Sequence, residues 1–211
     1  MRLLIFGPQG AGKGTQSARL AEKFDIAVIS TGDMFRWAVN DEGELGEKVR
    51  HYLDDGQLVP NDLTVEVVRD RLAEEDARAG FVLDGFPRNL AQADALDEIL
   101  AEQEASLDAA LVLEVSEEVS LRRLAGRRVC RRCGRNYHVD TPPKEDWTCE
   151  RCGGQVVQRS DDQEATIARR LATYHEQTAP LKEHYRKRGL LREVDGTGTL
   201  NEVFDRILSV L

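Results

Sequence analysis

The chain has no apolar run approaching the roughly 18 residues of a membrane-crossing helix, so a helical membrane span is excluded. Nor does it open with the charged, apolar and small-residue regions of a secretory leader. Met1 and Arg2 pass straight into Leu3-Leu4-Ile5-Phe6 and a glycine-rich turn, and a cytoplasmic location is the expectation. Positive charge is scarce: 29 Lys and Arg against 38 Asp and Glu leave a net charge of −9, which argues against a general polyanion binder. A phosphate site must therefore draw on locally concentrated arginines. Cysteine is scarcer still, with four residues, all between 130 and 152. What remains is a chain of 211 residues, long enough to bury a sizeable core in one or two domains.

The stretch that organises the rest is Gly7-Pro8-Gln9-Gly10-Ala11-Gly12-Lys13-Gly14-Thr15, directly after the first apolar run. A buried strand breaking into a glycine-rich turn and then a helix, expected from Gln16 to about Phe24, aims backbone N–H groups and the positive end of a helix dipole at one point. That point suits a phosphate. The glycines allow close backbone approach, and Lys13 can reach β- and γ-phosphates. Gly14 stands where this motif usually has a magnesium-binding hydroxyl and Thr15 comes one residue late, so phosphate oxygens and water are expected to hold the metal.

Ile26-Ala27-Val28-Ile29 reads as a second strand, and Ser30-Thr31-Gly32-Asp33-Met34-Phe35-Arg36 opens a helix at a second anion-friendly start, with Thr31 equally readable as a plain N-cap. Two such starts suggest two nucleotides. Residues 31–60 lack apolar periodicity and read as an appendage ending in the turn Asp55-Gly56-Gln57-Leu58-Val59-Pro60, after which Asn61 is expected to cap a helix. Phe81-Val82-Leu83-Asp84 gives a strand with Asp84 at its carboxyl end, facing a magnesium shell, and Arg88 follows in the same crevice. Gln92, one turn on, could read a base edge or be a surface residue. Residues 109–115 and 190–194 complete five strands alternating with helices, which predicts a parallel sheet covered on both faces. The last helix carries a stripe of Leu200, Val203, Phe204, Ile207, Leu208 and Leu211 to pack on it.

A segment of different character, 126–162, holds Cys130-x2-Cys133-Gly134 and Cys149-x2-Cys152-Gly153. Four thiolates in this spacing fill a closed tetrahedron and predict a structural metal, zinc before iron or cobalt, with two disulfides as the alternative. Its few apolar residues build no core without that cross-link. Arg127, Arg128, Arg131, Arg132 and Arg135 crowd its first strand: they could solvate a hairpin, bind nucleic acid, or, with Arg159 and Arg170, neutralise a transferring phosphoryl group.

Taken together, GPQGAGKGTQ (7–16), STGDMFR (30–36), DGQLVP (55–60), DGFPRNLAQ (84–92), GRRVC (126–130), RSDDQEATIARRL (159–171), TAPL (178–181) and VDGTG (194–198) resemble the adenylate kinases, in particular the long type with a zinc-bearing lid. The resemblance implies the P-loop nucleoside monophosphate kinase fold, a five-stranded parallel sheet flanked by helices, with core 1–29, 61–125 and 163–211, a small helical AMP-binding insertion 30–60 and a lid 126–162. It implies reversible phosphoryl transfer from Mg-ATP to AMP giving two ADP, for adenine nucleotide homeostasis, in a monomer that engages neither nucleic acid nor membrane. By position, Gly10, Ala11, Gly12, Lys13, Gly14 and Thr15 would cradle the ATP phosphates, and Arg123, Arg127, Asn136, Tyr137 and Gly198 would face the donor. Thr31, Arg36, Gln57, Leu58, Val59, Gly85, Phe86, Pro87, Arg88, Gln92, Arg159 and Arg170 would hold AMP. Lys13, Arg88, Arg127, Arg159 and Arg170 would surround the transferred group, with Asp84 on the magnesium waters and Asp161 and Asp162 orienting the arginines. Cys130, Cys133, Cys149 and Cys152 would hold the zinc. The competing readings are a related kinase with another acceptor or donor and a zinc-ribbon nucleic-acid ATPase.

Overall fold

The computed structural model describes residues 1–41 and 43–211. Strands β1 (Arg2–Phe6), β2 (Ala27–Ser30), β3 (Phe81–Asp84), β4 (Ala109–Glu114) and, late in the chain, Leu191–Asp195 form one parallel sheet in the order β2-β3-β1-β4 and then that last strand at the edge. Between them run α1 (Lys13–Phe24), α2 (Thr31–Asn40), α3 (Glu44–Asp54), α4 (Asn61–Ala73), α5 (Glu75–Ala79), α6 (Leu90–Glu102) and α7 (Glu117–Gly126). A small antiparallel sheet follows, β5 (Arg127–Cys130) flanked by β6 (Asn136–His138) and β7 (Val156–Val157). Then come a 3-10 turn at Ser160–Asp162, α8 (Glu164–Thr173), a π turn at Tyr174–Thr178, α9 (Leu181–Lys187), the edge strand β8 (Leu191–Asp195) and α10 (Leu200–Val210).

Side chains two apart on a strand face the same side, and the core divides accordingly. Leu4, Phe6, Leu83 and Val112 face α4, α6 and α9 through Val68, Leu72, Leu96, Ile99 and Tyr185. Leu3, Ile5, Leu111 and Leu113 face α1 and α10 through Leu20, Val203, Phe204 and Ile207. With both faces covered, the inner strands β1, β3 and β4 read as nearly unbroken apolar runs. In the register, Ile5 lies beside Asp84, so the Gly7–Gly12 turn and the carboxyl end of β3 open onto one crevice where the strand order reverses, the usual ligand position in such sheets.

Several local expectations change. The first helix begins at Lys13 rather than Gln16, capped by Gly12 at φ 96°, and Gly14 lies inside it with ordinary helical geometry. Residues 31–60 form two helices with an apolar cluster of their own, Phe35, Val49 and Val59 backed by Val39, Leu53, Leu63 and Val67. Ser30, not Thr31, caps α2 by accepting from the Asp33 N–H at 3.3 Å. Asn61 does not cap α4: its side chain turns to α6. Ile167 and Leu171 on α8, Tyr174 in the π turn, and Leu181 and Tyr185 on α9 are all buried, although the π turn divides the two helices. Leu200 leaves the apolar stripe of α10 and is 59 % exposed.

Candidate active site

The cleft at the carboxyl ends of the strands has a volume of about 1610 Å3, and a side cavity of about 50 Å3 opens beside it. Gly10 to Thr15 line the main cleft, with Gly10 at φ 82° and backed so closely by Ser120 that a side chain would lie 2.8 Å from its carbonyl. Lys13 Nζ donates to the carbonyls of Gly7 at 2.8 Å and Pro8 at 2.9 Å. Burial pushes its ammonium down to about 8 against the pull of Asp84, with Arg88, Arg170 and Arg127 adding repulsion. Burial raises the Asp84 carboxyl in turn, Lys13 opposing it. The Asp84 carboxylate lies against Gly14, where an added Cβ would be 3.6 Å from Oδ2.

The next turn shapes the wall of the side cavity. Gly85 at φ 83° brings its backbone against Thr31 Oγ1, leaving 2.8 Å for any Cβ, and its carbonyl accepts from Arg88 Nε at 2.7 Å. Thr178 Oγ1 donates to the Arg88 carbonyl at 2.7 Å. Gln92 is 2 % exposed and far from surface filler: its Oε1 accepts from the Arg88 N–H at 2.8 Å and its Nε2 donates to Asn61 Oδ1 at 2.9 Å. Gln57, Val59, Thr31 and Gln92 line the side cavity, while Leu58, Gly85, Arg36, Arg88 and Arg170 line both cavities. Pro87 lines the main cleft; Phe86 lines neither, its side chain being buried in the core beneath.

Arginines converge on the cleft from opposite sides. Asp162 receives both Arg127 Nε at 2.7 Å and Nη2 at 2.5 Å, a bidentate pair, and Arg170 Nη1 at 3.2 Å. Asp161 lies 3.4 Å from Arg159 Nε and 3.2 Å from Arg170 Nη1. Burial alone would raise Asp161, but Arg170 and Arg159 outweigh it and hold the carboxyl at about 2. Burial and neighbouring guanidinium groups push Arg88 down to about 10 and Arg159 to about 9, so both stay charged at neutral pH. Asp33 pairs with Arg36 at 2.5 Å. Elsewhere on the main cleft Arg123 donates to the carbonyls of Gly10 at 3.2 Å and Gly196 at 3.1 Å, with Asn136, Tyr137 and Gly198 around the same cleft.

The four cysteines gather in the small sheet with every sulfur within 4.8 Å of the others. The Cys130–Cys152 and Cys133–Cys149 contacts are 3.5 and 3.6 Å, near the roughly 3.8 Å edge of a tetrahedron with 2.3 Å metal–sulfur bonds and far from the roughly 2 Å of a disulfide. Gly134 and Gly153, both at φ 71°, make the turns that aim each pair. The donor set fits zinc. Most of the nearby arginines serve the hairpin itself: Arg128 lies over Trp147, Arg135 over Tyr137, and Arg132 donates to the Cys152 carbonyl at 3.1 Å. A second group of candidate ligands, Asp94, Asp97 and His184, already has a protein cation in its midst, Arg188.

Comparison with known sequences bears on this geometry. The family model described as adenylate kinase matches residues 5–190. The chain is 49 % identical to the adenylate kinase of Clostridium tetani and 50 % identical to that of Carboxydothermus hydrogenoformans, in each case over 100 % of this chain and 98 or 99 % of the relative. It is 48 % identical to the adenylate kinase of Archaeoglobus fulgidus, over 100 % of this chain and 98 % of the relative. This chain belongs to the adenylate kinase family. It is a phosphotransferase of the P-loop nucleoside monophosphate kinase fold, and its reaction is ATP plus AMP giving two ADP.

Within this adenylate kinase, some residues of the site carry no sequence signal of their own. Asn61 and Asn89 brace Gln92, Asn89 Oδ1 accepting from the Gln92 N–H at 3.0 Å and its Nδ2 donating to Asn61 Oδ1 at 3.0 Å. Asp33, inside the STGDMFR stretch, was legible as part of a motif but not as the partner of Arg36. Among the described residues, no helix is long and apolar enough to cross a membrane.

Proposed function

We propose that this enzyme transfers the phosphoryl group in line from Mg-ATP, held in the main cleft by the Gly10–Thr15 amides and Lys13, to AMP held in and beside the side cavity. The observation that carries this reading is that Lys13, Arg88, Arg127, Arg159 and Arg170 all line the main cleft, and that Arg88 and Arg170 line the side cavity as well. A loose phosphoryl transition state needs positioning and charge neutralisation rather than a covalent nucleophile, and a set of cations without a nucleophile matches that need. Asp84 is assigned to the waters of the magnesium that enters with ATP, and Asp161 and Asp162 to orienting the guanidinium groups before nucleotide arrives. Arg123, Arg127, Asn136, Tyr137 and Gly198 are assigned to the donor nucleoside. Thr31, Arg36, Gln57 to Val59, Gly85, Pro87, Arg88 and Gln92 are assigned to AMP, Phe86 contributing only as the packed base of that turn.

Residues 30–60 and 126–162 are assigned as flaps over AMP and ATP, closing to exclude water, which competes with AMP as acceptor. The four thiolates are assigned to one structural zinc, which when bound cross-links a hairpin with too few apolar residues to hold itself. The enzyme is proposed to act as a cytoplasmic monomer. A coupled assay of ADP formed from Mg-ATP plus AMP, against Mg-ATP alone and against other nucleoside monophosphates, tests the substrate assignment. ADP formation that does not depend on AMP, or a faster reaction with UMP, would overturn it.

A further inference from the structure

The loop between β8 and α10 has an almost complete hydrogen-bond account. The Asp195 carbonyl accepts from Arg206 Nη1 at 2.9 Å, the Gly196 N–H donates to the Glu114 carbonyl at 2.7 Å, and the Gly196 carbonyl accepts from Arg123. The Thr197 N–H donates to Asp195 Oδ1 at 2.9 Å and the Thr197 carbonyl accepts from Arg206 Nη1 at 2.6 Å. The Thr199 N–H donates to Glu202 Oε2 at 2.7 Å, and the Thr199 carbonyl accepts from the Val203 N–H at 3.1 Å. Among the described residues, nothing pairs with the N–H or the C=O of Gly198, which lines the cleft. Gly198 is exposed on the cleft wall, so water satisfies both groups in the free enzyme and both are available to a ligand in the cleft.

The orientation of these two groups follows from peptide planarity. In a trans peptide the C=O and N–H vectors point in opposite directions. Arg206 holds the Thr197 carbonyl toward α10, so the Gly198 N–H on that plane points away from α10. Glu202 holds the Thr199 N–H, so the Gly198 C=O on the next plane is likewise turned outward. Gly198 has φ 99°, and a Cβ there would meet Glu202 Oε2 at 2.6 Å, so the peptide can take this path only as glycine.

We infer that Arg206, with Glu202, is a positioning residue for donor-base selection: it fixes the Gly198 peptide groups to accept from an exocyclic amine and donate to the adjacent ring nitrogen. A 6-aminopurine presents that pattern, whereas a 6-oxopurine presents an acceptor beside an N–H and meets like against like. Arg206 lies beyond the residues that the family model matches, and it reaches the loop only through carbonyl oxygens, so no motif announces it. The inference rests on the reading that Gly198 faces the donor base. Losing Arg206 frees the Thr197–Gly198 plane to rotate, and a glycine offers little resistance to a flip.

The test compares wild type, Arg206→Ala and Arg206→Lys with ATP and ITP as donors at saturating AMP. The expected result for Arg206→Ala is a KM for ATP raised roughly tenfold, the value of one well-oriented hydrogen bond, with kcat and the KM for AMP unchanged. The ATP-over-ITP ratio of kcat/KM should narrow by a similar factor, and Arg206→Lys should restore part of it. A lowered Tm with an unchanged ratio would reduce Arg206 to a structural role. A wild-type enzyme that uses ITP as well as ATP would instead overturn the placement of the base at Gly198.

Discussion

Lys13 is the cation of the cleft that lies nearest to losing its charge, its folded value falling below those of Arg159 and Arg88. Its ammonium is buried among Arg88, Arg127 and Arg170, with Asp84 the chief opposing charge, and its folded value near 8 lies below the ordinary 10.5. Between those values the unfolded chain holds a proton that the folded one has released, so burial of this charge costs stability below pH about 8 and the cost is relieved as pH rises. For catalysis the sign is reversed, because only the protonated amine neutralises phosphate. The kcat/KM for ATP is therefore expected to fall above pH about 8, while the kcat limb lies further alkaline because bound phosphates favour the proton. Lys13→Met should lose this limb along with about a hundredfold or more of turnover at a Tm no lower than that of the wild type, measured by pH-rate profiles and calorimetry. Near-normal turnover in the variant would remove Lys13 from the mechanism.

Asp161 has the opposite sign. Its carboxyl is held at about 2 against an ordinary 3.8, so its contribution is present above pH about 4 and is lost as pH falls toward 2. That shift corresponds to about 2 kcal/mol, and Asp161→Asn is expected to lower stability at neutral pH by about this amount or more, since Arg159 and Arg170 lose a counter-charge. Urea unfolding at pH 7 and at pH 3 reads the difference, which should shrink at the lower pH. A variant equally destabilised at both would show that Asp161 acts through packing instead.

At the scale of elements, the lid and the paired helices α2 and α3 are stabilised differently. The lid sheet has Val156, Tyr137 and Trp147 around the four sulfurs and little else apolar. Cys149→Ala should therefore abolish stoichiometric metal, lower Tm and raise the KM for ATP while leaving a measurable AMP-dependent rate. Elemental analysis with a thermal melt checks this, and loss of all activity at an unchanged Tm would contradict a structural metal. This module was legible because its stabilising contacts are named residue types at fixed spacing. The α2–α3 cluster was not, since Phe35, Val49 and Val59 come from two helices and a loop and make no periodic stripe in any one of them. Gln92 was ambiguous for a related reason: what buries it is a pair of asparagines, one of them 31 residues away. The inner strands β1, β3 and β4, by contrast, are nearly continuous apolar runs covered on both faces, while the edge strand β8 carries Arg192 and Glu193 and takes its place by pairing with β4.

For the whole molecule, the two segments proposed as flaps come into contact where the turn after α3 reaches Ser160 and α8. The turn after α3 lies against α8, so closely that a Cβ on Gly56 would fall 2.8 Å from Thr166 and 2.9 Å from the stem of Arg170, and Ser160 Oγ donates to Asp54 at 3.4 Å. A movement of residues 30–60, the flap proposed for AMP, would reach through these contacts to the segment that carries Arg159, Asp161 and Arg170. A ligand that spans both cavities engages all these parts at once, and its second half binds at the effective concentration set by the first. Two adenosines joined by five phosphates should raise Tm well beyond the shift from ATP and AMP together, as expected for binding at least a hundredfold tighter than either nucleotide. Gly56→Ala should reduce that excess while leaving the shift from ATP alone nearly unchanged, because the methyl group displaces Arg170 and leaves the Gly10–Thr15 amides untouched. If the excess persists in Gly56→Ala, the flaps close independently and the contact across Gly56 is only packing; if the spanning ligand gives no excess even with the wild type, the two cavities do not form one reaction path.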